Sequence, residues 1–263
     1  QLTRAKAFLS SNIWSKYKNC ELLLIIGNNS THLKNLAIEN NHKFVIVNMP
    51  KIIPYNIAKI FWENINLNKL LIDYKADLYL SFSHYLPIRK LSIPSVLGVS
   101  NIGPFNKRHI NKEGLREKVR LKLLKITILN SSKKASNIIA LSNYCKYFLT
   151  KNGIKEKKIN VISNGVSQRE YLLKTQTTTS NKKQYILYVS HFYRYKNFEQ
   201  VIKSYALLDK NLKRNFRLFL VGKFMDKRYV NHLKKLCHNL KCSKSVIFIN
   251  NPSQKELQEY YMR

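Results

Sequence analysis

Short apolar runs alternate with helical segments along most of the chain, and this alternation restricts the fold more than any other feature. The runs have the length of strands, whereas the segments between them repeat apolar residues at helical spacing. Strands that alternate with helices form parallel sheets covered on both faces, so the sequence predicts an α/β fold of doubly wound parallel sheets. A helical pattern over residues 2–14 precedes the first run. The strand-like runs are ELLLIIG, KFVIVNMP, ADLYLSFS, PSVLGVS, NIIAL and KINVISNG, followed by YILYVS, FRLFLVG and SVIFIN.

A polar segment separates the first six runs from the last three. KTQTTTSNKK, residues 174–183, has no apolar periodicity, as is typical of links between domains. A chain of 263 residues is long enough for two domains. We expect Rossmann-like domains at residues 1–165 and 185–263, joined by a linker at 166–184. Because the sequence begins at Gln1 and ends within the helical pattern ELQEYYMR, both domains are expected to be incomplete.

The chain is strongly basic, with 47 Lys and Arg against 14 Asp and Glu and a formal net charge of +33. Such a surplus is typical of proteins that bind nucleic acids or anionic membranes. Most of these cations are lysines spread along the chain, whereas proteins that read phosphates and bases favour clustered arginines. We therefore expect no nucleic-acid partner, and a basic nucleic-acid-binding protein is kept as an alternative function. Peripheral contact with an anionic membrane is compatible with the charge.

One predicted helix combines apolar and basic residues. Leu115, Val119, Leu123 and Ile126, here called the 115–126 stripe, recur at nearly helical spacing. The interpretation we favour is an ordinary helix whose stripe faces the core and whose basic face is solvated. The alternative is a helix that lies on an anionic membrane. The cations beside the stripe are Arg116, Lys118, Arg120, Lys122 and Lys125.

The cysteines indicate a reducing compartment. All four are scattered without the density of a disulfide scaffold, so reduced thiols and a cytoplasmic location are expected, with peripheral contact at the inner membrane face as an option. The histidines and cysteines at 232, 237, 238 and 242 fit no common zinc spacing. We predict helix-surface and core positions for them, and no metal site.

A basic loop follows the first strand of the second domain. His191, Arg194 and Lys196 lie between the run YILYVS and the helical pattern FEQVIKSYALL. The first turn of a helix offers unpaired N–H groups and a partial positive charge, which together suit a phosphate. The alternative is a loop whose cations are merely solvated.

The order and spacing of the segments over residues 70–263 resemble the group-one, or family-four, retaining glycosyltransferases. PSVLGVSNIGPF is similar to members that act on bacterial surface polysaccharides. The other matching segments are IIALSNYCKYFLTKNGIKEKKINVISNGVS, YILYVSHFYRYKNFEQVIKSYALL, FRLFLVGK and SVIFINNPSQKELQEYY. The resemblance implies a GT-B fold with an acceptor-side domain and a nucleotide-sugar-binding domain. It also implies transfer of a sugar from a nucleoside diphosphate donor to a saccharide or lipid-linked acceptor, with retention and without a metal or cofactor.

The resemblance implies a donor site in the second domain. Lys196 matches the family's lysine that contacts the donor diphosphate. The family's Gly-Arg pair falls on Ser190 and His191, so Arg194 replaces the missing arginine only if the loop turns it inward.

Two further loops complete that implied site. Gly222 matches a glycine at which a side chain would crowd the donor, and Lys223 follows it. A plain strand-ending glycine is the other interpretation of Gly222. Asn251 and Pro252 match the loop beside the nucleotide base, or form a plain turn.

In the first domain, the family's histidine near the reacting sugar corresponds to Ser100 or Asn101. The amide of Asn101 is suited to hydrogen bond a sugar hydroxyl, although it is no general base at neutral pH. Neither His84 nor His109 aligns with this position. Lys196 and Asn101 are therefore the expected catalytic residues.

Two motifs of the family lie outside the sequence. Its glycine-rich loop would precede Gln1 and its glutamate pair would follow Arg263, so we expect little or no turnover from these residues alone. An inactive relative is an alternative function. An epimerase or phosphorylase of the same architecture would need an acid/base set that the sequence does not offer.

Overall fold

The computed structural model describes residues 8–9, 16–17, 19–28, 30–50, 52–165 and 184–262. Contacts divide the chain into two compact units, Gln1–Ile110 with Leu115–Gly165 and Asn111–Gly114 with Val166–Arg263. The helix expected over residues 2–14 and the linker at 166–184 fall almost wholly outside the described residues, so both stay predictions.

The first unit has two parallel sheets in its described part, one of β1 and β2 and the other in the order β3-β4-β5-β6. The predicted α/β class is therefore confirmed. Its elements are β1 Leu23–Gly27, α1 Thr31–Glu39, β2 Lys43–Val47, α2 Tyr55–Asp73, β3 Tyr79–Ser81, β4 Ser95–Val99, α3 Lys107–Lys112, α4 Leu115–Lys134, β5 Asn137–Ala140, α5 Asn143–Lys151 and β6 Ile159–Val161.

The core of this unit lies around its central strands. Leu97 of β4 and Ile138 of β5 are fully buried, and Ile128 of α4 and Leu149 of α5 pack in the same cluster. Strands buried on both faces read as continuous apolar runs, which is why these segments were recognisable in the sequence. The side chain of Ser142 accepts a hydrogen bond from the Cys145 N–H and so begins α5 with an N-cap.

Helix α4 packs differently from the favoured interpretation of its sequence. The placement of the 115–126 stripe against the core is wrong, because all four of its side chains are at least half exposed. The helix instead buries Leu121 and Ile128, which lie on its opposite face. None of the described helices is both long enough and apolar enough to cross a bilayer.

The second unit contains a parallel sheet in the order β7-β8-β9 among its described residues. The strand and helix signals of the sequence are all present, but helix α7 was not predicted. It is short, and its N-cap Asp209 accepts a hydrogen bond from the Leu212 N–H. The elements are β7 Tyr185–Val189, a 3-10 turn Arg194–Lys196, α6 Phe198–Ala206, α7 Lys210–Asn215, β8 Arg217–Gly222, α8 Lys227–Asn239, β9 Val246–Asn250 and α9 Gln254–Met262.

Aromatic and aliphatic side chains fill the core of the second unit. Phe192, Phe198 and Tyr229 are fully buried there together with Ile202 and Leu233. Of the histidines and cysteines considered above, the two cysteines are buried in this core and the two histidines are exposed. These are the helix-surface and core positions that the spacing predicted.

Candidate functional site

A cavity of about 420 Å³ lies where β7, β8 and β9 reach their carboxyl ends. Ligands of open α/β sheets bind at this edge, because the loops that follow the strands converge there. Seven residues of the second unit were predicted for the site, and all except Arg194 line this cavity. The six that the fold brings together are His191, Lys196, Gly222, Lys223, Asn251 and Pro252.

The loop after β7 is fixed to the loop after β8 by backbone hydrogen bonds. The N–H of Ser190 donates to the Val221 carbonyl at 2.9 Å, and the N–H of Phe192 donates to the Lys223 carbonyl at 2.9 Å. The Phe192 ring is buried and stacks on Phe198, with ring centroids 4.1 Å apart. This anchored phenylalanine holds the path of the loop, so its flanking residues line the cavity.

Gly222 is required by the close passage of that loop. Its φ is +153°, and a Cβ at this position would lie 1.9 Å from the carbonyl oxygen of Ser190. Any side chain would therefore push the two loops apart. A side chain at this position would first crowd the Ser190 carbonyl oxygen. That it would also crowd the sugar donor stays a prediction.

His191 has a defined hydrogen-bond partner. Its Nδ1 accepts a hydrogen bond from the Lys223 N–H at 3.3 Å. An accepting Nδ1 assigns the proton of a neutral imidazole to Nε2, which is then a donor. His191 thus adds a hydrogen-bond donor to a cavity that Lys196 and Lys223 also line.

Lys196 is held at its backbone and along its side chain. Its carbonyl accepts a hydrogen bond from the Tyr188 hydroxyl at 2.7 Å, and its Nζ lies 5.2 Å from the ring centroid of Tyr195. Burial raises the pKa of Tyr188, which keeps this hydroxyl protonated as a donor. Lys196 ends the 3-10 turn, and α6 begins two residues later at Phe198.

The first turn of α6 lies beside this loop. Asn197 precedes the helix in the left-handed conformation, with φ +55°, and its carbonyl accepts from the Gln200 N–H at 3.1 Å. The first N–H groups of a helix have no acceptor within it and carry a partial positive charge. The carboxylate of Glu199 in this turn is directed to α8, where it accepts from the Tyr229 hydroxyl at 2.5 Å.

Arg194 is directed away from the cavity. Its guanidinium lies 3.3 Å from a carboxylate oxygen of Asp226, and it covers the Tyr229 ring at 5.1 Å from the centroid. Asp226 is the N-cap of α8 and attracts this cation. The inward turn on which the predicted donor-binding role of Arg194 depends is therefore not present in the structure.

Two tyrosines at the cavity were not among the residues predicted from the sequence. The rings of Tyr193 and Tyr195 are stacked, with centroids 5.4 Å apart and planes 21° apart, and both line the cavity. Aromatic rings of this kind can stack on flat or ring-shaped ligands. The signal that could have found them is the alternation of aromatic and basic residues in FYRYK.

The loop after β9 closes another side of the cavity. Asn251 has φ +49°, a conformation that asparagine tolerates, and its N–H donates to the Gly222 carbonyl at 3.1 Å. The side-chain oxygen of Asn250 accepts from the Phe224 N–H at 3.0 Å. Both bonds join this loop to the loop after β8 and place Asn251 and Pro252 at the cavity.

Asn101 of the first unit occupies a turn after β4. Its side-chain oxygen accepts a hydrogen bond from the Gly103 N–H at 3.0 Å, so this oxygen already has a structural partner. Ser100 beside it lies 3.2 Å from Nε2 of His84. His84 is thus a hydrogen-bonded loop histidine. Any contact of Asn101 with a sugar stays a prediction.

Two family models match the chain. The model of Glycosyltransferase Family 4 matches residues 20–170, which is more than half of the chain. The model of Glycosyl transferases group 1 matches residues 172–263.

A curated relative is an uncharacterized glycosyltransferase of Methanocaldococcus jannaschii. It is 32% identical over 111 residues, which are 41% of this chain and 28% of that protein. The match therefore spans less than a third of the relative's length.

Solved structures with a similar fold include the two that follow. HepE of Anabaena, solved in complex with UDP-glucose, has a TM-score of 0.57 and 15% identity over 98% of this chain and 68% of its own. WaaG, a glycosyltransferase involved in lipopolysaccharide biosynthesis, has a TM-score of 0.58 and 12% identity over 91% of this chain and 72% of its own. These likenesses fit the predicted Rossmann-like GT-B fold. Because a family model matches more than half of its residues, the chain belongs to the group-one, family-four glycosyltransferases.

Proposed function

We propose that this chain is part of a glycosyltransferase that binds the diphosphate of a nucleoside diphosphate sugar in the cavity at the ends of β7, β8 and β9. One observation carries the proposal: Lys196, Lys223 and His191 line a single cavity at the carboxyl edge of a parallel sheet. Family membership and the UDP-glucose bound by HepE support the same ligand class.

The cavity supplies the charge that such a ligand needs. A diphosphate combines several negative oxygens, which favour ammonium groups and N–H donors. The Lys196 and Lys223 ammonium groups, the His191 ring and the first turn of α6 provide both kinds of partner. In this proposal the protein supplies the compensating charge, and neither a metal nor a cofactor takes part.

These groups also suit the chemical step. As the bond between the sugar and the diphosphate breaks, negative charge grows on the leaving group and the sugar gains oxocarbenium character. Preorganised donors that stabilise growing charge lower the barrier of such a step. Lys196 and the N–H groups at the start of α6 would act on the leaving diphosphate, and Asn101 would hydrogen bond a sugar hydroxyl.

The proposed acceptor is a saccharide or a lipid-linked saccharide in cell-surface polysaccharide synthesis, and the transfer retains the anomeric configuration. The role of WaaG in lipopolysaccharide biosynthesis supports this direction. Retention rests on the family resemblance.

Calorimetric titration of the 263-residue chain with UDP, GDP, ADP and CDP tests the proposal. We expect binding of at least one of them, and Lys196→Ala should weaken that binding about ten- to hundredfold because a charge-assisted hydrogen bond is lost. The matched control is Lys210→Ala, which removes the same charge from an exposed position of α7. It should leave the affinity unchanged.

Two outcomes would contradict the proposal. One is an equal loss of affinity in Lys196→Ala and Lys210→Ala, which would indicate non-specific attraction to a basic chain. The other is no response to any nucleoside diphosphate together with salt-dependent binding of generic DNA, which would favour the nucleic-acid-binding alternative.

A further inference from the structure

Helix α4 presents apolar residues on two opposite faces. Its buried face contributes Leu121 and Ile128 to the core of the first unit. The four residues of the 115–126 stripe are 51–80% exposed. At 3.6 residues per turn they fall within an arc of about 80°, opposite the buried face. The solvent side of α4 thus carries a continuous apolar stripe that packing of the described residues does not explain.

Cations border this stripe on both sides. At helical spacing, Lys122 flanks one edge, and Lys133 continues the line of Leu115 toward the end of the helix. Arg116 and Arg120 flank the other edge, and all four cations are exposed. Glu117 is the one acidic residue in the sequence of α4, lies toward the buried side and pairs with Arg120. The exposed face is therefore an apolar stripe within a positively charged border.

We propose that this face of α4 lies on an anionic lipid surface. Helices that lie in a membrane interface insert an apolar stripe below the headgroups and keep lysines and arginines at the level of the phosphates. Each cation near an anionic leaflet adds to the attraction. A narrow apolar stripe with cations along both edges fits an anionic lipid surface, because the headgroup phosphates pair with the cations. An apolar patch on a protein partner would instead bring apolar side chains against these cations.

The exposed apolar residues of α2 make a useful contrast. Ile57, Phe61, Ile65 and Ile72 are also at least 47% exposed and recur at helical spacing. The sequence around them places asparagines and few lysines beside them. They supply the matched control for the test, because they are comparably exposed apolar side chains with few lysines beside them.

Vesicle co-sedimentation tests the proposal without any sugar transfer, so its failure is distinct from failure of the proposed function. The vesicles are phosphatidylcholine with or without phosphatidylglycerol. We expect preferential binding to the vesicles that contain phosphatidylglycerol. Val119→Ser/Leu123→Ser should weaken this binding at least about tenfold, because apolar area no longer enters the interface.

This double variant keeps the net charge, which separates the stripe from general attraction to a basic chain. Ile65→Ser/Ile72→Ser on α2 removes residues that are similarly exposed and should bind like the parent chain. Equal binding by the α4 variant and the parent would overturn the proposal, as would an equal loss in the α2 variant. Circular dichroism verifies that both variants stay folded.

Two further measurements examine the ligand. Arg116→Gln/Lys122→Gln should weaken binding to phosphatidylglycerol and reduce its dependence on salt. Unchanged binding, or equal binding to phosphatidylcholine alone, would contradict the anionic lipid. Sedimentation velocity without lipid should show no stripe-dependent dimer. A dimer that Val119→Ser/Leu123→Ser abolishes would assign the stripe to a second copy and overturn the proposal.

Discussion

At the scale of single residues, Gly222 lets two loops of the candidate site pass close to each other because it has no side chain. A Cβ there would lie 1.9 Å from the Ser190 carbonyl oxygen. We expect Gly222→Ala to lower the free energy of unfolding by about 3 kcal/mol, through overpacking and backbone strain. Urea denaturation measures this change.

Gly165→Ala is the matched control, because nothing lies within 4 Å of the Cβ that it adds. It should change the free energy of unfolding by no more than about 0.5 kcal/mol. Equal stability of the two variants would show that the loop after β7 moves away freely.

The cysteines make a second prediction at this scale. Burial, followed by the neighbouring Cys242, raises the pKa of the Cys237 thiol to about 12, and burial also raises the pKa of Cys145 and of Cys242. The thiolate is the reactive form, so these three should resist iodoacetamide in the folded chain up to about pH 9. Exposed Cys20 should be modified, as mass spectrometry can establish.

The raised pKa of Cys237 also has a consequence for stability. The folded state holds the Cys237 proton more tightly than the unfolded state does. The protonated thiol therefore makes its full contribution to the free energy of unfolding below the ordinary thiol pKa. This contribution is lost as the pH rises toward about 12. Rapid alkylation of the three buried cysteines under native conditions would contradict the burial described for them.

At the scale of elements, apolar periodicity predicts the presence of a helix more reliably than it predicts which face of that helix packs against the core. The sequence of α4 has apolar residues on two faces. Spacing alone could therefore not decide whether Leu121 and Ile128 or the 115–126 stripe would be buried in the core. Helix α7 was missed because its six residues, KNLKRN, have almost no apolar periodicity. The N-cap Asp209 was the remaining signal.

The Asp226 side chain at the start of α8 interacts with two parts of the second unit. Asp226 accepts hydrogen bonds from the Arg228 and Tyr229 N–H groups and also pairs with Arg194. Asp226→Ala should lower the free energy of unfolding by about 1–2 kcal/mol through loss of the cap. Asp226→Asn retains a capping oxygen, and the ion pair is well exposed, so it should cost clearly less.

Chemical denaturation of the two variants distinguishes these contributions. If Asn and Ala were equally destabilising, the interaction with Arg194 rather than the cap would hold this end of α8. A smaller cost for Asn is the expected result.

At the scale of the whole molecule, topology explains how much of the site was predictable. Loops after parallel strands meet at one edge of a sheet, so strand order brings together the loops that carry Lys196, Gly222 and Asn251. The family resemblance singled out Gly222 and Asn251 within those loops. The direction of Arg194 could not be predicted, because it depends on Asp226, which lies 32 positions further along the chain. The placement of the stacked tyrosines likewise depends on the buried Phe192 ring, which stacks on Phe198 and anchors the loop.

The first unit illustrates the same limit. Asn101 follows a predicted strand, as the sequence indicated, but the hydrogen bond from the Gly103 N–H to its side chain is visible only in the folded turn. Strand order therefore predicts which loops form a site. It does not predict which side chains are already engaged by a neighbour.

The proposed binding of a nucleoside diphosphate at the carboxyl edge of the β7-β8-β9 sheet can be observed directly. The experiment is a crystal structure of the chain with the tightest-binding nucleoside diphosphate. We expect a diphosphate within hydrogen-bonding distance of the Lys196 ammonium group, beside the first turn of α6. A nucleotide bound elsewhere, with this cavity empty at saturating concentration, would contradict the proposal.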